Sequence, residues 1–248
     1  MNLFRPMLLA VALANGPALA DPAFAQPISF DAKDGVKVYG DFRQAEGRSR
    51  GTILLFHMAG SNKSEYAPLA PVLNKAGFTT LAIDQRSGGD LWGDVNKTTA
   101  HAKGGSDFAD AIPDLEAAVT YASLQHEGPI ALWGSSYSSA LVFVVAARHP
   151  EVKALLAFSP AEYIQGYSIA KEAAKLSIPV FITSAPDGGE ISSGRALAKA
   201  VPDHRAIQYI PKNGVHGSST LRIDEDPQGA SENWKHVMAF LDRAFPRT

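Results

Sequence analysis

The residues of this chain with types and spacing suited to nucleophilic chemistry are a tight group of serines, seven histidines and a few carboxylates near strand ends. The serines lie in "ALWGSSYSSAL", residues 131–141. A serine hydroxyl attacks a carbonyl only when a base takes its proton and a third group orients that base. On a sharp strand-to-helix turn, the residues two before and two after such a serine must be small, because strand and helix approach each other there. Ser135 has Trp133 and Tyr137 at those places, and Ser139 has Tyr137 and Leu141. Ser136 has Gly134 and Ser138 and passes. Ser138 has Ser136 and Ala140 but lies a turn into the following helix. Ser136 is therefore the expected nucleophile, with Ser138 standing where the G-x-S-x-G pattern has its second glycine. Taken alone, the pentapeptide also reads as a Gly-Ser turn that caps a helix.

Of the histidines, only His57 and His216 combine a strand-end position with glycine-bearing loops. His216, in "NGVHGSS", follows the last strand and is the expected base; His101 is a weaker candidate. The orienting acid should follow another strand, between serine and histidine in chain order. "PVFITSAPDGGE" supplies Asp187, with Glu190 three residues on as the alternative. Acyl transfer also needs donors aimed at the developing oxyanion. One is the backbone N–H of Tyr137, after the nucleophile. The other comes from "HMAGSN", where Ala59 is the expected donor and Met58 the alternative, His57 being a structural residue of that loop. The long segment 86–105 lacks periodicity, and long loops in compact domains are often functional. Its Trp92 and Asn96 are expected at a substrate-pocket wall, although Trp92 could equally pack the loop onto the domain.

These residues must be held by strands that alternate with helices. Apolar runs at 36–42, 51–57, 78–84, 129–134, 152–159, 178–185 and 205–211 read as strands. Helical spacing appears at 65–77, 106–128, from 135 to about 148, at 189–201 and at 231–245. That alternation implies an α/β fold, a mainly parallel sheet covered on both faces, with ligands bound beyond the carboxyl ends of the strands.

The remaining composition narrows the function classes. With 248 residues, 46% hydrophobic and 19% charged, the chain can bury a sizeable core. A net charge of −2 offers no basic field for nucleic acid. There is no cysteine, which excludes disulfides, thiolate metal sites and a cysteine nucleophile. Residues 1–25 have Arg5, a short apolar run from Met7 to Ala14, and small-residue cleavage patterns ending at Ala20 and Ala25. This is the layout of a secretory signal peptide, so a periplasmic or secreted protein is expected, with one domain over 26–248. No later stretch is long and apolar enough to span a membrane.

From about Gly51 to Phe245 the chain resembles the α/β-hydrolase superfamily. "FHMAGSN" stands as the oxyanion loop, "IDQRSGGD" follows the next strand, "WGSSYS" is the nucleophile elbow and "VHGSS" the base loop. The order Ser136, Asp187, His216 is the superfamily order. The resemblance is to small lidless serine esterases and dienelactone-hydrolase-like proteins. It implies an eight-stranded, mainly parallel sheet without a cap domain, and an ester or lactone as a small-molecule substrate. It implies no metal and no cofactor. Met58 replaces a glycine frequent in the family, and the serine sets the chain apart from dienelactone hydrolases, which use cysteine. An amidase or peptidase would share the triad, and a non-catalytic binding protein would share the fold.

Overall fold

Strands buried on both faces read as continuous apolar runs, and such strands form the centre of this sheet. The structure, a computed structural model, describes residues 24–102, 107–125 and 128–247. β3 (Thr52–Phe56) and β5 (Ile130–Ser135) are buried at every position. In β3, Leu54 and Phe56 join one core while Ile53 and Leu55 join the other, as period-two alternation requires. β5 divides in the same way, Leu132 to the first core and Trp133 to the second.

Eight strands pair in the order β1-β2-β4-β3-β5-β6-β7-β8. β2 (Lys37–Arg43) is antiparallel to both of its neighbours, β1 (Gln26–Asp31) and β4 (Thr79–Ile83). From β4 through β3, β5, β6 (Val152–Phe158) and β7 (Val180–Thr183) to β8 (Ala206–Tyr209), every pairing is parallel. This is the α/β-hydrolase arrangement. Residues of α3 (Ile112–Gln125), α4 (Tyr137–Ala146), α5 (Ile169–Ala173) and α6 (Gly188–Ala200) pack in the first core. Those of α1 (Ala70–Lys75) and α7 (Ala230–Ala244) pack in the second. The short α2 (Lys97–His101) lies in the segment after β4. Between β6 and β7 the chain holds only α5, with no cap domain.

The eight strands implied by the resemblance are present, and the one that no apolar run announced is β1, because "QPISFD" alternates half-buried and exposed residues at the sheet edge. One expectation is revised. The helix expected over 65–77 is divided into a 3-10 turn, Lys63–Tyr66, and the short α1. Pro68 and Pro71 lack the N–H that a continuous helix needs there. The expected signal peptide lies outside the described residues, apart from Phe24 and Ala25. No helix among the described residues is long and apolar enough to cross a membrane.

Candidate active site

β5 runs into α4 through Ser136, whose φ of 55° and ψ of −122° are unusual for a residue with a side chain. Gly134 makes this turn possible: a Cβ there would overlap the Ser138 carbonyl and lie 2.6 Å from Ser139 Cα. Burial separates the four serines. Ser135, Ser138 and Ser139 are buried, and Ser136 is partly exposed. Ser135 Oγ accepts the Ser218 amide at 2.9 Å. Ser138 Oγ donates to the His57 carbonyl at 2.6 Å and accepts from Gln85 Nε2 at 2.7 Å. Ser139 Oγ donates to the Ser136 carbonyl. Ser136 Oγ instead meets His216 Nε2 at 2.8 Å.

The other ring nitrogen of His216, Nδ1, lies 2.7 Å from Glu190 Oε1. The carboxylate that the structure brings to the His216 ring is therefore Glu190, the alternative, and not the expected Asp187. Asp187 is the N-cap of α6; its Oδ1 accepts the amides of Gly189 at 2.9 Å and Glu190 at 3.1 Å. The first helical turn then carries Glu190 to the strand ends, where its Oε2 accepts the Ala185 amide at 2.9 Å. Ser159, at the end of β6 with φ 57°, was not anticipated. Its Oγ accepts the Gly217 amide at 2.9 Å and its side chain also supports the Glu190 carboxylate. Burial by itself would raise Glu190, but hydrogen bonds from His216, Ser159 and the Ala185 amide hold its carboxyl below the usual range. The hydrogen bond to Glu190 raises His216 above its ordinary value against a smaller opposing effect of burial. The tautomer consistent with these contacts carries its proton on Nδ1 and leaves Nε2 free to accept from Ser136.

The loop expected to hold the oxyanion is built from two fixed peptide planes. The Met58 amide donates to Glu65 Oε2 at 2.8 Å, so the alternative donor Met58 is already committed inward. The Met58 carbonyl accepts from His57 Nδ1 at 2.8 Å and from the Ser61 amide at 3.2 Å. A trans peptide directs its N–H opposite to its C=O, so the Ala59 amide turns away from that anchored carbonyl. Among the described residues, neither the Ala59 nor the Tyr137 amide has an acceptor. His57 is wholly structural: its Nε2 accepts the Gln85 amide at 2.9 Å, and burial pushes it down to about 4.

The segment after β4 braces this loop. Asn62 Nδ2 faces the carbonyls of Gly89, Leu91 and Asp94. Asn96, expected at the substrate wall, is buried instead, its amide held by Gln85 O at 2.9 Å and Ser61 O at 3.3 Å. It cannot reach a substrate and is corrected to an internal tie. Trp92 packs under the Arg222 guanidinium, 3.9 Å from the ring centre. His101 Nδ1 meets its own helix at the Lys97 carbonyl and is not part of the site.

One sequence signal could have identified the acid. Asp187-x-x-Glu190 has the spacing of a helix N-cap and its third residue, which marks Asp187 as the cap. Glu65 and Ser159 had no comparable signal, because their roles depend on which way particular amides point.

Solved structures share the fold. The Pyrococcus furiosus esterase Pf2001 superposes with a TM-score of 0.68 at 17% identity, over 90% of this chain and 91% of that one. A cold-adapted esterase from an Arctic intertidal metagenomic library gives 0.66 at 23% identity, over 89% and 94%. A thiohydrolase, apmlB, from Arthrinium phaeospermum is 28% identical over 137 residues, 55% of this chain and 43% of that protein, so the chain spans less than half of that curated relative. The family model described as serine aminopeptidase, S33, matches residues 47–220, more than half of the chain, and the chain belongs to that hydrolase family.

Proposed function

We propose that the chain is an exported serine hydrolase that cleaves a carboxylic ester or lactone through an acyl-enzyme on Ser136. The observation that carries this reading is the hydrogen-bonded line from Glu190 through His216 to Ser136, at 2.7 and 2.8 Å. Ser136 Oγ attacks the carbonyl carbon while His216 Nε2 takes its proton. The Glu190 carboxylate holds the ring and stabilises the imidazolium. The amides of Tyr137 and Ala59 receive the oxyanion. His216 then protonates the leaving alcohol, and a water activated by the same ring releases the acid. The His216 side chain is 43% exposed, which suits a small substrate arriving from solvent. This chemistry needs no metal or organic cofactor. The family's description as an aminopeptidase supports the amide as the competing bond.

The test is a fluorophosphonate probe with mass-spectrometric mapping, together with p-nitrophenyl butyrate and an aminoacyl p-nitroanilide. Labelling at Ser136, and ester turnover that falls at least ~10³-fold in Ser136→Ala, is expected. Labelling at Ser138, or no labelling of folded protein, would overturn the reading; faster anilide than ester cleavage would replace esterase with amidase. Export rests on residues 1–25, and β1 begins at Gln26, so cleavage after Ala25 would keep every residue of that strand. Mature protein beginning at Asp21 or Gln26 in the periplasmic fraction supports it, and an intact N-terminus in the cytoplasm refutes it.

A further inference from the structure

Glu65 is a carboxylate with no exposed surface, and the chemistry above makes no use of it. It lies in the turn Lys63–Tyr66, which is fixed at its start by the Asn62 cap and by the Lys63 amide on Asp84 at 2.9 Å. Burial of an acid this deeply is unfavourable unless its position matters to its neighbours. Its Oε2 accepts the Met58 amide at 2.8 Å and the Ser61 hydroxyl at 3.2 Å, gripping the oxyanion loop at both ends of its turn. Its other oxygen has no hydrogen-bond partner among the described residues. The Ser135 hydroxyl, which anchors the Ser218 amide of the base loop, lies close enough to favour its charged form. The next residue, Tyr66, donates to the Phe56 carbonyl at 2.7 Å and lies 3.4 Å from Ser218 Oγ. One short turn thus touches the oxyanion loop, the elbow and the base loop.

We infer that Glu65 is a positioning residue, a buried clamp that holds the Met58 peptide inward so that the next amide, Ala59, faces the oxyanion. The peptide logic is direct. With the Met58 N–H on Glu65 and the His57 carbonyl on Ser138 Oγ, the 57–58 plane is pinned from both sides. The 58–59 plane is then pinned by His57 Nδ1, and its free N–H belongs to Ala59. Without the carboxylate, the first plane loses one of its two anchors. Burial pushes Glu65 up to about 7, and the charged or titratable groups around it are His216, Arg222, Tyr66 and Tyr137.

The inference rests on the proposed oxyanion chemistry, but its test is separable. Glu65→Gln and Glu65→Ala are compared with wild type for kcat, KM, affinity for an alkyl boronic acid, and amide hydrogen exchange of the peptide spanning 57–62. Expected are a ~10–100-fold loss of kcat in Glu65→Ala with KM within ~3-fold, boronate affinity falling in parallel, and a smaller loss in Glu65→Gln. Exchange at 57–62 should rise in Glu65→Ala while the β3, β5 and β6 peptides stay protected. Unchanged exchange at 57–62, or wild-type kcat in both variants, would overturn the clamp. If Glu65→Ala unfolds, Glu65→Gln carries the test by the same readings. Should the wild type cleave no ester, the functional proposal fails while the exchange measurement still decides the role of Glu65.

Discussion

Two carboxylates three positions apart, one at the N-cap of α6 and one in its first turn, have opposite destinations. Asp187 turns back to start its own helix, and Glu190 reaches across to His216. Their substitutions should therefore separate. Glu190→Gln removes the negative partner of the imidazolium and should lower kcat by ~10²–10⁴-fold. It also moves the pH profile in a defined direction. Because the hydrogen bond to Glu190 raises His216 above its ordinary 6.5, turnover of the wild type rises with pH through a value above 6.5, where the base becomes neutral. Loss of the Glu190 charge lowers that value, so the acid limb shifts to lower pH. Asp187→Ala removes a cap and should cost ~1 kcal/mol of stability with little change in turnover. Rate profiles from pH 5 to 9 and urea unfolding of both variants check this. Loss of turnover in Asp187→Ala alone would restore Asp187 as the acid.

At the scale of elements, the critical junction is the crossing of β5 and α4. Gly134 sits where any side chain would collide with the backbone of Ser138 and Ser139, which cannot move aside as a flexible side chain could. Gly134→Ala should therefore destabilise the protein by ~3 kcal/mol or more, read as a lower urea midpoint. A wild-type midpoint would mean that the crossing has slack. The same junction explains what was legible beforehand. Ser136 could be chosen from four serines because neighbour size is written in the sequence, and His216 because it follows the last strand. The buried central strands were legible from their unbroken apolar runs. β1 was not, since an edge strand needs only a half-buried alternation. Glu190 stood only as the alternative, because Asp187 lies nearer the strand end in the same segment. The inward turn of the Met58 amide was hidden because peptide-plane direction is set by tertiary contacts, not by residue type. Asn96 has the right loop and polarity for a substrate contact, yet the fold folds it beneath the loop.

For the molecule as a whole, the deeply buried ionisable groups at the site edge of the sheet include two that burial moves in opposite pKa directions, both toward the neutral form. His57 is pushed down to about 4 and Glu65 up to about 7, each chiefly by burial. Their effects on stability oppose each other, so the pH dependence of the wild type alone is a poor readout. The difference between wild type and His57→Asn isolates one of them, because asparagine offers a donor and an acceptor but does not titrate. In the folded protein His57 stays neutral down to about 4, whereas the unfolded chain binds its proton near 6.5. Between those values the unfolded state holds more protons, so folding stability contributed by this position rises with pH. Measured by urea unfolding, the advantage of wild type over His57→Asn should grow by ~3 kcal/mol from pH 4 to 6.5 and stay level above it. Proton uptake falls on His57 Nε2, which accepts the Gln85 amide, so that bond is the one lost, while Nδ1 goes on donating to the Met58 carbonyl. A pH-independent difference would show that His57 titrates alike in both states, and would overturn the neutral imidazole that accepts the Gln85 amide.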